Sequence, residues 1–288
     1  MLGATGLLGT AVCEAARARG MAVIAAARSG SVAVDIRDEA ALVGLLEAHR
    51  PDIIVNAAAQ VSVEACERDP GAAWLINARP AAILAAYARR SGARLAHIST
   101  DHFFMGDGAA RHDEAARVVL VNDYARSKYA AEALALTDPA ALVVRTNMVG
   151  IASRNGGSFG EWARRLIETD GEGVLFDDQY VSLLDVWSLA DALLDLAATP
   201  AAGVLNVGSS EVFSKAAFVL ALAEALGRSL TRARPGAVAK AQSVRRPDSL
   251  GLDVARAEAW LGRPLPNLSQ VVHSLATRIQ ADPESRAP

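Results

Sequence analysis

The feature that most constrains this chain is an alternation of short, largely apolar runs with longer Ala-, Leu- and Arg-rich stretches of helical period. The runs fall at Ala22–Ala26 (AVIAA), Ile53–Ala57 (IIVNA), Leu95–Ser99 (LAHIS), Leu142–Thr146 (LVVRT) and Val204–Val207. The helical stretches fall at Thr10–Arg19, Glu39–His49, Ala72–Arg90 and Tyr124–Leu136. A strand that is apolar on both faces needs cover on both, which strand–helix–strand succession with right-handed crossovers supplies. The predicted fold is α/β, a doubly wound parallel sheet of Rossmann type. After about Gly150 the alternation weakens. Ser158–Thr169 and Ser214–Gly227 read as helices and Val174–Leu184 as extended chain. The expected division is residues 1–150 plus about 181–210 in a dinucleotide-binding domain. Residues 151–180 plus 211–280 would form a smaller C-terminal lobe, and 281–288 a polar tail.

The chain opens MLGATGLLGT, and Gly3, Gly6 and Gly9 have the spacing of a turn that cradles phosphate. The first glycine permits the tight turn, the second admits a pyrophosphate to the backbone, and the third lets the helix pack closely. The loop Gly3, Thr5, Gly6, Leu7, Leu8, Gly9 would present the anion to a helix N-terminus. Only Met1 and Leu2 precede it, where a whole strand belongs. A central strand of two residues forfeits backbone pairing and buried apolar surface. The first strand is therefore read as truncated, with the given start several residues late. Further on, at the tip of the second strand, AAARSG carries Arg28 and no acid. An arginine there suits a 2′-phosphate and so favours NADPH over NADH, against the plainer reading of an exposed loop arginine. Asp35, followed by Ile36, is placed to accept a hydrogen bond from the adenine amine.

The strongest chemical signal is Tyr124-Ala-Arg-Ser-Lys128, preceded by Ser99-Thr100-Asp101. Tyrosine and lysine at i and i+4 share a helix face. An ammonium beside a phenol favours the phenolate and brings its pKa toward a useful range. The phenol would protonate a carbonyl oxygen as hydride reaches its carbon, with the Thr100 hydroxyl holding the same oxygen. The plainer alternative is a surface tyrosine above a lysine paired with Glu132.

These residues resemble the extended short-chain dehydrogenase/reductases, in the branch of dTDP-4-dehydrorhamnose reductase and its sugar-nucleotide-modifying relatives. The resemblance rests on GATGLLG, HRPDIIVNAAA (His49–Ala59), ARLAHISTD (Ala93–Asp101), YxxxK, VVRT (Val143–Thr146) and RRPDSLGLD (Arg245–Asp253) followed by LGRPLP. It implies a catalytic set of Thr100, Tyr124 and Lys128. Tyr124 is then the general acid, and Lys128 holds the nicotinamide ribose and tunes the tyrosine. It also implies backbone of Ala57, Ala58 and Ala59 along the cofactor, and Arg246 near the substrate. Where the branch reads RTSWVYG this chain has Arg145-Thr-Asn-Met-Val-Gly150, so Met148 replaces an aromatic substrate wall. Where it reads STDYVFDG, this chain has Asp101-His102, and His102 is expected to shape the substrate site rather than to move the proton. The implied activity is NAD(P)H-dependent reduction of a nucleotide-linked 4-keto-6-deoxy sugar. Two alternatives stay open: a sugar-nucleotide epimerase that retains NAD, and a non-catalytic dinucleotide-binding regulatory subunit.

The totals fit a cytoplasmic enzyme with a small-molecule substrate. A net charge of -3 argues against a nucleic-acid surface, and no run is long and apolar enough for a membrane span. Cys13 and Cys66 read as buried thiols, and His49, His112 and His273 lack metal-ligand spacing. Trp74, Trp162, Trp187 and Trp260 read as packing anchors. A homodimer is left open.

Overall fold

The structure is a computed structural model that describes residues 1–151, 157–237 and 243–281. In chain order the elements are α1 (Leu7–Ala18), β1 (Ala26–Ala27), β2 (Val32–Ala33), α2 (Glu39–His49), β3 (Ile53–Asn56), α3 (Val63–Arg68), α4 (Pro70–Asn77), α5 (Arg79–Ser91), β4 (Arg94–Ile98), α6 (Asp123–Ala135), β5 (Leu142–Arg145) and β6 (Met148–Val149). There follow α7 (Phe159–Glu168), β7 (Gly173–Phe176), β8 (Tyr180–Val181), β9 (Leu184–Asp185), α8 (Val186–Ala197), β10 (Gly203–Asn206), β11 (Phe213–Ser214), α9 (Lys215–Ala225), β12 (Ala233–Gly236), β13 (Ser249–Leu250), α10 (Ala255–Leu261) and α11 (Leu268–Ala281). No helix among the described residues is long and apolar enough to cross a membrane.

Local chemistry sets many of the boundaries. Side chains of Asp38, Asn122, Ser158 and Ser214 cap the helices that follow them by accepting a backbone N–H. The one helix expected over Ala72–Arg90 is two, α4 and α5, meeting at Ala78. Pro80 is the cause: it has no N–H, and its ring excludes the carbonyl four residues back.

The main sheet runs β10-β5-β4-β3 in parallel, and beyond β3 the pair β1-β2 continues it. Leu2 alone joins the two parts, as a parallel bridge to both Ala26 and Asn56. Its N–H donates to the Val55 carbonyl at 2.8 Å and its carbonyl accepts from Ala57 at 3.1 Å. Leu2 thus occupies the centre of the sheet as an isolated bridge rather than as part of a strand. The strand expected at Ala22–Ala26 is corrected: only Ala26–Ala27 forms a strand, although the Ile24 carbonyl accepts from the Met1 ammonium at 2.9 Å. Next to Met1 lies a cavity of about 410 Å³ walled by Val12, Ala16, Val23, Ile53 and Leu194.

Both faces of the sheet are covered. Val55 of β3, Ala96 and Ile98 of β4, and Leu142 and Val144 of β5 enter one core with Leu8 and Val12 of α1 and the leucines of α8. The intervening Ile54, Leu95 and Val143 enter a second core with Leu42 of α2, Leu84 of α5 and Ala131 of α6. That period-two split is what a doubly wound sheet requires. The later segments build smaller sheets: β12 with β7, β11-β8-β13, and β6 with β9 at the end of β5. Cys13 and Cys66 are buried thiols. Trp162 and Trp187 pack on the main core. Trp74 and Trp260, in contrast, are exposed, a correction to their reading as packing anchors.

Candidate active site

The glycine turn follows Leu2 directly. Gly3 has φ +78°, and a side chain there would meet the Ala57–Ala58 backbone within 3 Å. A Cβ on Gly9 would lie 2.0 Å from the Gly3 carbonyl oxygen. Both positions therefore require glycine. Gly6 caps α1 with extended backbone and no side-chain hydrogen bond, so the first N–H groups of the helix are left for an anion.

Around the turn lies a cleft of about 300 Å³, lined by Gly3, Thr5, Gly6, Arg28, Asp35, Ile36, Ala57, Ala58 and Ala59. Leu7, Leu8 and Gly9 do not line it. Leu8 is buried in the core, Leu7 packs against that core, and Gly9 sits behind the Gly3 carbonyl. Leu7 and Leu8 turn their side chains to the core, and what these three positions offer an anion is their backbone N–H groups, the first of α1. Arg37 and Gln60 line the cleft and were missed. Arg37 grips both oxygens of Asp35, and this hydrogen bonding holds the carboxyl down at about 2. Asp35 is thus an ionised acceptor already shared with an arginine. A dinucleotide fits this donor set: a glycine cradle and free helix N–H groups at one end, two arginines at the other.

The second cluster sits at the C-terminal end of β4 and the start of α6. The Asn122 cap accepts from Ala125 at 2.8 Å and fixes the first turn of α6, which carries Tyr124. Burial pushes the phenol up to about 12, against a hydrogen bond with the Thr100 side chain that lowers it. Lys128, one turn on, is buried and donates to the Ile98 carbonyl at 2.6 Å. Desolvation pulls its ammonium down to about 8, opposed by the charge of Glu132. The main-chain carbonyl holds the ammonium, and burial is the largest influence on the phenol, against the lowering the sequence suggested. Glu132 is taken by Arg145 at 2.8 Å and by the Ser99 hydroxyl at 2.6 Å. This buried network fixes β4, β5 and α6 beneath the site.

His102 meets Tyr124 edge-on, ring centroids 5.5 Å apart, and burial brings its imidazole down to about 3, so it stays neutral. Its Nδ1 is buried without a partner. Asp101 is 1% exposed and accepts from Asn147 Nδ2 at 2.6 Å; burial raises its carboxyl to about 7. Arg246 pairs with Glu64, and its charge acts on both His102 and Lys215. Met148 is half-buried in β6, packed on the main core and opposite Leu184. Asn147 and Lys215 are the residues the sequence reading missed. A lysine in the first turn of a helix, against the dipole, was the available signal for Lys215.

Residues 1–281 match the family described as RmlD substrate binding domain. The chain is 33% identical over 289 residues to dTDP-4-dehydrorhamnose reductase of Mycobacterium tuberculosis, covering 98% of this chain and 92% of that one. It is 28% identical to the probable low-salt glycan biosynthesis reductase Agl14 of Haloferax volcanii, with 95% of each chain covered. Among solved structures it superposes on dTDP-4-dehydrorhamnose reductase of Bacillus anthracis in complex with NADP, with a TM-score of 0.86 and 23% identity. That match covers 96% of this chain and 97% of the other.

Proposed function

Since the chain belongs to the family of the RmlD substrate-binding domain, we propose that it reduces the carbonyl of a nucleotide-linked 4-keto-6-deoxy sugar with NADPH. The observation that carries this reading is that the Thr100 side chain lies close enough to Tyr124 to act on its phenol, with Lys128 one turn away on the same helix. The family's reductases, one of them solved with NADP, support both the reaction and the cofactor.

The dinucleotide, when bound, supplies hydride to the sugar carbon. The chain supplies the rest. Gly3, Gly6 and the first N–H groups of α1 receive the pyrophosphate, while Arg28 and Arg37 at the far end of the cleft favour a 2′-phosphate. NADH fits the same cleft without that last contact. Thr100 positions the carbonyl oxygen. Tyr124, protonated throughout the neutral range, gives that oxygen its proton. Lys128 reaches toward the nicotinamide ribose from beside the Ile98 carbonyl. Asp101, His102, Met148 and Arg246 belong to the substrate side of the site.

On the same reading, residues 1–150 with about 181–210 bind the dinucleotide, and 151–180 with 211–280 form the substrate lobe. The reaction is placed in the cytoplasm, and a homodimer is the assembly to test.

The test is to mix protein, NADPH and a panel of 4-keto-6-deoxy sugar nucleotides and follow absorbance together with the sugar product. NADPH consumption matched to sugar reduction is expected. Altered sugar without consumption would point instead to an epimerase, and binding without either change to a regulatory subunit.

A further inference from the structure

Lys215 opens α9, directly after its cap Ser214. A cation at a helix N-terminus faces the positive end of the dipole, an unfavourable place unless an anion joins it. Its Nζ lies 5.0 Å from the centroid of the Phe159 ring, and no carboxylate among the described residues pairs with it. The loss of water around it pulls the ammonium down to about 8, so the charge is held where it is poorly compensated.

Its neighbours on either side differ in kind. On one side is an apolar cavity of about 270 Å³ walled by Phe159, Trp162, Leu175 and Phe176. On the other are Arg246, whose Nε is buried without a partner, and Asp101, both close enough to act on the lysine's charge. Arg246 in turn acts on His102, whose ring abuts Tyr124. The order along this path is proton donor, two cations, aromatic cavity. A nucleotide-linked sugar has the same order of chemistry: reacting carbonyl, diphosphate, flat base.

We propose that Lys215 is a phosphate ligand of the substrate, holding the diphosphate at the N-terminus of α9 while the base enters the cavity beside Phe159 and Trp162. This rests on the reading of the substrate as a sugar nucleotide and adds the residue that recognises its charged link. Nothing in the proposal depends on turnover, so it can be tested by binding alone.

The experiment measures the affinity of the full chain for thymidine diphosphate and for thymidine by calorimetry, with NADPH binding as a control for folding. The wild-type protein is expected to prefer the diphosphate. Lys215→Met should weaken the diphosphate by about 10-fold or more, the scale of a charged hydrogen bond. Thymidine and NADPH should be unaffected, and Lys215→Arg should restore most of the loss. Equal diphosphate affinity in wild type and Lys215→Met overturns the proposal. So does a matching loss for thymidine, which would make the lysine only a wall of the cavity, or a wild type that does not prefer the diphosphate. Failure of the reductase reading would show in the turnover test instead, with the diphosphate preference intact.

Discussion

Tyr124 and Lys128 were legible in the sequence as a pair one turn apart, and α6 places them so, but spacing does not say where an ammonium points. The Ile98 carbonyl holds Lys128, and the phenol stays at about 12, suited to giving a proton rather than taking one. Tyr124→Phe is expected to leave NADPH affinity nearly intact and to lower turnover by roughly 100-fold or more, measured in steady-state assays. Arg28→Ala is expected to weaken NADPH by about 10-fold and NADH much less, by direct titration; equal weakening would dismiss the 2′-phosphate argument. Asp101 gives a pH signature. Burial raises its carboxyl in the folded chain to about 7, against 3.8 for a free aspartate. The folded chain therefore keeps a proton that the unfolded chain has released. That contribution to stability is complete below about pH 4 and is lost as pH rises through 7. Relative to wild type, Asp101→Asn should gain stability over that window by up to about 1.4 kcal/mol per pH unit and no more above it. Urea melts at several pH values would check this, and a constant difference would contradict it. Asn147 was not legible because its partner Asp101 is distant in sequence, and Lys215 left only its place in the first turn of α9 as a signal.

At the scale of elements, the strands and most helices were legible because each buried face leaves its period in the sequence. The misses have local causes. Pro80 divides what reads as one long helix, and the strand read over residues 22–26 is Ala26–Ala27, bridged by Leu2. The packing beneath the site was less visible. Glu132 entered the sequence reading only in the plainer alternative, as a partner for Lys128; it binds Arg145, a nearly fully buried pair that ties α6 to β5. Removing one member of such a pair leaves the other charge buried alone. Glu132→Ala should therefore destabilise the fold by about 3–5 kcal/mol in denaturant titrations. A loss within the range of a surface pair would show that the network does not hold these elements.

The whole molecule follows from two separate cores on the faces of one parallel sheet, an arrangement that strands apolar at consecutive positions require. The sheet's carboxyl edge then gathers the glycine turn, the arginines and the Thr100–Tyr124 pair on one side of the molecule, where open α/β sheets bind their ligands. The relation between that edge and the smaller sheets after Gly150 was only coarsely legible, since short strands and loops there carry little periodic signal. What matters most is whether hydride delivered in the cleft and a proton from Tyr124 meet on the same sugar. NADPH deuterated at the transferring position, supplied with a 4-keto-6-deoxy sugar nucleotide, tests this most directly. The account predicts one deuterium on the former carbonyl carbon of the product, formed quickly by wild type and far more slowly by Tyr124→Phe. A product free of deuterium, or one formed equally fast by the variant, would contradict it.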